Sequence, residues 1–173
     1  MGRTEYLRIS PRSGLGQLRF GELKAAADTR EGIYGAVTRQ ASDRIPDSTL
    51  QDTLAQFGSD LSDEEKQALL ALYAESGPDA SSVTEVRGDH GLVLRYEQDR
   101  LVEITLSPDH SLANLAGKGV FLLPAKDVAT AESLSKIPGL YHGTTAAFLN
   151  LGLIFRGILS NRSSVRSQIA RFE

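Results

Sequence analysis

Two periodicities divide the chain. Leu92, Leu94 and Tyr96 alternate with Val93, Arg95 and Glu97; further on, Val102, Ile104 and Leu106 alternate with Leu101, Glu103 and Thr105. Period two belongs to a strand with one buried face. The polar turns Gly88-Asp89-His90-Gly91 and Gln98-Asp99-Arg100 separate these runs from each other and from Val83–Arg87. Residues 83–106 therefore read as a three-stranded antiparallel meander, one face buried and the other carrying the charges.

Upstream the period is helical. From Gly21 to Arg44, Leu23, Ala26 and Ala27 precede a break at Gly32, and Ile33, Val37 and Ala41 then recur every fourth residue. That spacing puts them on one helix face. After Pro46, Ser48 with Gln51 fits a capping box, Leu50, Leu54 and Phe57 form the stripe behind it, and Gly58 ends the helix. Ser62 with Glu65 is a second capping box, and Asp63 and Glu64 suit the dipole of the first turn. Leu69, Leu70, Leu72 and Tyr73 are its apolar side, stopped by Gly77-Pro78.

Elsewhere the pattern is looser. Ser10-Pro11-Arg12-Ser13-Gly14 and Gly16 are turn residues, so residues 1–20 read as a loosely ordered arm ahead of one domain over 21–173. A sub-boundary near 76–82 divides a helical half from a β-rich half. Val120–Leu123 reads as a buried strand ended by Pro124, Asp127–Lys136 as a short helix, and Leu140-Tyr141 as the start of another strand. Phe148, Leu149, Leu151, Leu153, Ile154, Phe155, Ile158 and Leu159 are apolar almost all round and read as a C-terminal helix. That helix is either the centre of the core or a surface for a protein partner or a lipid. No internal repeat is visible. The fold class is α+β: N-terminal helices, a central antiparallel meander and a C-terminal apolar helix.

Composition narrows the chemistry. With 173 residues, 40% hydrophobic and 24% charged, the chain has enough apolar surface for a core, which argues against global disorder. It has no cysteine, so disulfides, thiol nucleophiles and cysteine-held metals are excluded. Its three histidines, His90, His110 and His142, lack metal-ligand spacing, and no metal is expected. The start, MGRTEYLRIS, lacks an apolar signal-peptide core, and 146–159, broken by Asn150, Arg156 and two glycines, is too short to span a bilayer. These features point to the cytoplasm or to export without a cleavable signal.

The net charge of −3 is unevenly spread. Arg3, Arg8, Arg12, Arg19, Lys24 and Arg30 crowd the start, Asp60, Asp63, Glu64 and Glu65 the middle, and Arg156, Arg162, Arg166 and Arg171 the tail. A basic end suits an anionic ligand or nucleic acid; the plainer alternative is a solvated helix face.

One motif carries candidate chemistry: Leu140-Tyr141-His142-Gly143-Thr144, followed after an apolar run by Gly157-Ile158. Gly143 lets backbone approach a flat ligand, Thr144 offers a hydroxyl or a helix cap, and His142 offers a ring nitrogen for hydrogen bonding. The plainer reading is a strand-end histidine with a turn and an N-cap. These residues resemble the His-Gly-Thr/Ser signature of the ADP-ribosyltransferase superfamily, as in poly(ADP-ribose) polymerases and RNA 2′-phosphotransferases. The resemblance implies an NAD site, with NAD as substrate and glycosyl transfer from the nicotinamide ribose as the reaction. His142 would contact a ribose and Gly143 the nicotinamide amide, with Thr144 and Tyr141 beside them. No residue takes the family's catalytic acid role. The chain therefore reads as an ADP-ribosyltransferase-like domain, complete or partial, active or inactive. The alternative is a non-enzymatic interaction module: a secreted effector segment, a chaperone-like partner or an assembly subunit.

Overall fold

The computed structural model describes residues 7–158 and, as backbone, 166–170. It confirms an α+β protein and rearranges several of its parts. The presumed arm is built into the fold from residue 7. Strands β1 (Arg8–Ser10), β2 (Gly14–Leu15) and β3 (Leu18–Arg19) carry Ile9, Leu15 and Leu18 into the core. Its turn residues shape tight hairpins, which is why the segment looked unstructured.

The expected helix over 21–44 is instead three elements: α1 (Lys24–Asp28), α2 (Glu31–Tyr34) and strand β4 (Val37–Ser42). Gly35 divides them, at φ +84°, where a Cβ would lie 2.4 Å from Gly88 Cα. Only glycine fits that approach, and the helix cannot pass through it. The two predicted helices follow as α3 (Asp47–Phe57) and α4 (Asp63–Ser76). The Ser62/Glu65 capping box forms in full. The Ser48 box does not: α3 starts two residues earlier, with Pro46 in the capping position.

The meander is present as β5 (Val83–Arg87), β6 (Leu92–Glu97) and β7 (Arg100–Leu106). Its phase differs at one point. Tyr96 pairs with Leu101 but Arg95 with Glu103, so Val102 is an extra residue on β7. This bulge turns Leu101 inward, beside Ile104 and Leu106. The charges also break the expected pattern, because Glu85 and Arg87 of β5 point into the interior.

Strands β8 (Asn114–Leu115) and β9 (Lys118–Gly119) follow. The buried strand expected at Val120–Leu123 is absent: Phe121 has φ +70°, and Leu122 and Leu123 are exposed. Helix α5 (Pro124–Ser135) starts on the proline, whose fixed φ and missing N–H suit a first helical position. Strand β10 (Leu140–His142) begins where expected.

The C-terminal apolar helix is also overturned. Its residues form β11 (Thr145–Phe148), a 3₁₀ turn at Leu149–Leu151, and β12 (Leu153–Arg156). Gly152, at φ +65°, reverses the chain. Ala146, Phe148, Leu153 and Phe155 alternate inward and belong to the core, while Leu149 is exposed. Leu159 lies outside the described residues. Strand β13 (Arg166–Ala170) completes the order.

The strands form two sheets. The large one is antiparallel throughout, in the order β10-β11-β12-β13-β7-β6-β5-β4. The small one runs β3-β2-β1-β8-β9, with β1 and β8 parallel. Residues from both sheets and from α1 and α5 share one hydrophobic core. At one edge, β4 is exposed along its length and its register shifts between Val37 and Arg39. At the other edge, β10 has three residues, all exposed.

A duplication underlies this layout. The bond from the Ser13 N–H to the Ser10 carbonyl recurs from Ala113 to His110; Phe20 to Ser13 recurs as Val120 to Ala113, and Ala26 to Leu23 as Lys126 to Leu123. The β2–β3 register Gly14↔Arg19 recurs as Asn114↔Gly119 in β8–β9. Gly16 and Ala116 share positive φ, as do Gly21 and Phe121. Each hairpin leads into a helix capped by Leu23 or Leu123 and then into four antiparallel strands, β4–β7 or β10–β13. The halves join where β7 pairs with β13. They differ most after the first of these four strands. The second half turns there in two residues, Gly143 and Thr144, whereas the first half inserts α3 and α4.

Candidate functional site

The sequence-predicted residues sit together on the β10–β11 hairpin. His142 pairs with Thr145, leaving Gly143-Thr144 as a two-residue loop. Gly143 has φ +55°, the glycine-first geometry that suits tight hairpins. Tyr141, His142, Gly143 and Thr144 are all exposed. The Tyr141 hydroxyl hydrogen-bonds Glu132 of α5, which holds the phenol above its usual range, and its ring packs edge-on against Phe148. The Thr144 carbonyl accepts a bond from the Ile158 N–H at 3.0 Å. Neither of the two cavities described next is lined by any of these four residues.

The first cavity is a groove of about 550 Å³ between α3 and α4, lined among others by Leu50, Leu54, Leu69, Leu72 and Tyr73. Leu50 and Leu54 of the α3 stripe and Leu69, Leu70, Leu72 and Tyr73 of the α4 stripe line it, while Phe57 does not. Yet neither helix buries a single residue. Phe57 is 73% exposed, Leu72 58% and Leu69 45%, values that place apolar side chains in solvent where a packed hairpin would hide them. The hairpin is anchored at its base: the Tyr73 hydroxyl accepts the Ile45 N–H at 2.8 Å, and the Arg44 guanidinium lies 5.3 Å from the centre of the Tyr73 ring. Asp43 and Ser82 bracket the insertion, with the Asp43 N–H bonded to the Ser82 carbonyl at 2.9 Å.

The second cavity, about 750 Å³, lies where α2, the β5–β6 turn and the segment after β7 meet; Glu31, Tyr34, Arg87, Asp89, His90 and His110 are among its walls. The His90 and His110 rings meet edge to face with centroids 6.0 Å apart. The Ser107 N–H donates to His110 Nδ1 at 3.1 Å. The same nitrogen lies 3.2 Å from the Ser107 carbonyl oxygen and 3.2 Å from the Ser107 hydroxyl. Burial lowers the His110 pKa and favours the neutral ring.

Behind this cleft lies a buried ion network. Lys24 Nζ stands 2.6 Å from Glu85 Oε1, and Arg87 reaches Glu85 Oε2 through Nη2 at 2.8 Å and Nε at 2.9 Å. Arg87 also pairs with Asp28, whose carboxyl it holds below the usual range. The buried Tyr96 hydroxyl, among the described residues, has no hydrogen-bond partner; burial and the Glu85 charge push its pKa up. Sequence reasoning placed these charges on the outer face. The available signal was that Glu85 and Arg87 lie two apart, on one side of a strand.

Among the described residues no group of three or more His, Asp or Glu side chains is placed to hold a metal ion. Among the described residues no helix is long and apolar enough to cross a membrane. Compared with protein-family models, curated proteins and solved structures, the chain matches none.

Proposed function

We propose that this chain is a non-enzymatic interaction module that meets a protein partner through the α3–α4 hairpin. The observation carrying this reading is that two helices with apolar stripes are inserted into one half of the fold and fully bury none of their residues. Exposed apolar surface of this kind gives the fold no stability, and contiguous patches mark contact sites. A partner laid on the hairpin supplies the missing layer. The test places a photo-crosslinking amino acid at Phe57 in living source cells, with a control at exposed Lys126 on α5. A discrete adduct from position 57, absent from 126 and lost on Leu72→Ser, supports the reading. Equal labelling from both positions overturns it.

A second reading keeps an ADP-ribosyl ligand such as NAD, with transfer of the ADP-ribosyl group as the activity. In its favour, a Cβ built on Gly143 would meet nothing within 4 Å, so a flat ligand has open access to that backbone beside the exposed His142. A melting temperature raised by millimolar NAD, and no longer raised in His142→Ala, is the result this reading requires.

A further inference from the structure

From the charge around the groove we infer the partner's chemistry: α3–α4 receives a basic amphipathic helix. This rests on the interaction reading above and goes further by choosing among occupants. Between Asp47 and Asp79 the chain carries eight acidic residues, Asp47, Asp52, Asp60, Asp63, Glu64, Glu65, Glu75 and Asp79, against the single base Lys66. All eight are exposed, and Lys66 stands 3.9 Å from Asp63. The hairpin thus has a net charge of −7, while the whole chain has only −3. None of the eight lines the groove, whose walls carry no charged residue, so the excess negative charge lies on the same hairpin outside an apolar floor.

Three occupants compete for such a floor. A second copy docking hairpin to hairpin would set two strongly acidic elements against each other, a like-charge arrangement that opposes association. An anionic lipid surface is repelled for the same reason. A helix with lysine or arginine beside a leucine-type stripe satisfies both parts of the surface. Its apolar face covers Leu54, Leu69 and Leu72, and its cations are drawn to the net negative charge of the hairpin. The dimensions agree. Helix α3 has 11 residues, or roughly 16 Å at the α-helical rise, and spans about three turns of a docked helix with anchors at i, i+3 or i+4, and i+7. Complementary charge also speeds encounter and makes binding salt-dependent.

The experiment uses the full chain and a synthetic peptide of about 14 residues, leucine on one helical face and lysine on the other, with binding read by fluorescence anisotropy. A matched peptide has glutamate for every lysine. Leu69→Ser and Leu72→Ser remove apolar contact from the groove wall, keep every charge and lie at exposed positions, so the fold is retained. The expected result is saturable binding of the lysine peptide, at least about tenfold weaker in the double variant. The glutamate peptide should not bind. Lysine-peptide binding unchanged in the double variant overturns the inference, since charge alone would account for it. Equal binding of both peptides overturns the basic partner and leaves the hairpin as a contact surface. So does self-association of the chain abolished by Leu72→Ser, which makes a second copy the occupant. No binding of either peptide also overturns it, and the cross-linking test then decides the broader reading by itself.

Discussion

Arg87 is 1% exposed and serves two carboxylates, Glu85 and Asp28. Removing one member of a buried ion group costs more than the group contributes, because the remaining charge is left without compensation. Arg87→Met should therefore lower unfolding free energy by about 3–5 kcal/mol, measured by urea titration. Adding Glu85→Leu should recover part of that loss by removing the stranded carboxylate. His110 gives a pH signature. Its folded pKa lies below the ordinary 6.5, so near and below that pH the unfolded chain binds more protons than the folded one. Stability is full above about 6.5, falls as the pH drops toward the folded value, and levels off beneath it. In His110→Gln this component should vanish, leaving a flatter profile from about pH 7.5 down to about pH 5. At this scale the sequence was least informative. A charged pair in a strand looks like a solvated face until a helix is laid over it, and only the fold brings Lys24 and Asp28 to Glu85 and Arg87.

Elements were more legible where one period dominated. The meander and α4 could be read because alternation, a complete capping box and a glycine-proline stop each pointed to one structure. The run from Ala146 to Phe155 could not, since a continuous apolar stretch satisfies a buried helix and a buried strand alike. Gly152 and the inward alternation of Phe148 and Phe155 decide for strands. The candidate motif was legible as a strand end and a turn, and its four residues do lie together. The α3 and α4 stripes were likewise visible, but not that Phe57, Leu69 and Leu72 are left exposed. This element yields its own prediction. Asp43 and Ser82 are already hydrogen-bonded across the insertion point. Replacing the residues between them with an Asn-Gly turn should give a folded protein whose melting temperature changes by less than about 5 °C, followed by circular dichroism. A variant that fails to fold would show that the hairpin supports the core after all.

The whole molecule is two matching halves sharing a sheet, and here the sequence was silent for a definite reason. Between residues 10 and 27, only Leu15, Leu23 and Ala25 match the residue one hundred positions later. What recurs is main-chain bonding and left-handed turns, which different side chains satisfy equally. The layout predicts a gradient of stability. Amides of β6 and β7 lie in the interior of the sheet and should exchange with solvent only on global unfolding. Those of α3 and α4 should exchange through local opening, at least about tenfold faster. Native-state hydrogen exchange by mass spectrometry measures both, and equal protection in the two regions would contradict the layout. The ends of the large sheet carry a further consequence. An open sheet presents unpaired backbone at each side, the template from which fibres grow. Here one side is the three-residue β10, and the other is β4, kinked by its bulge and bearing Arg39. Neither offers the long flat edge that a neighbouring molecule would need, so edge-to-edge growth of the sheet from one molecule to the next is disfavoured.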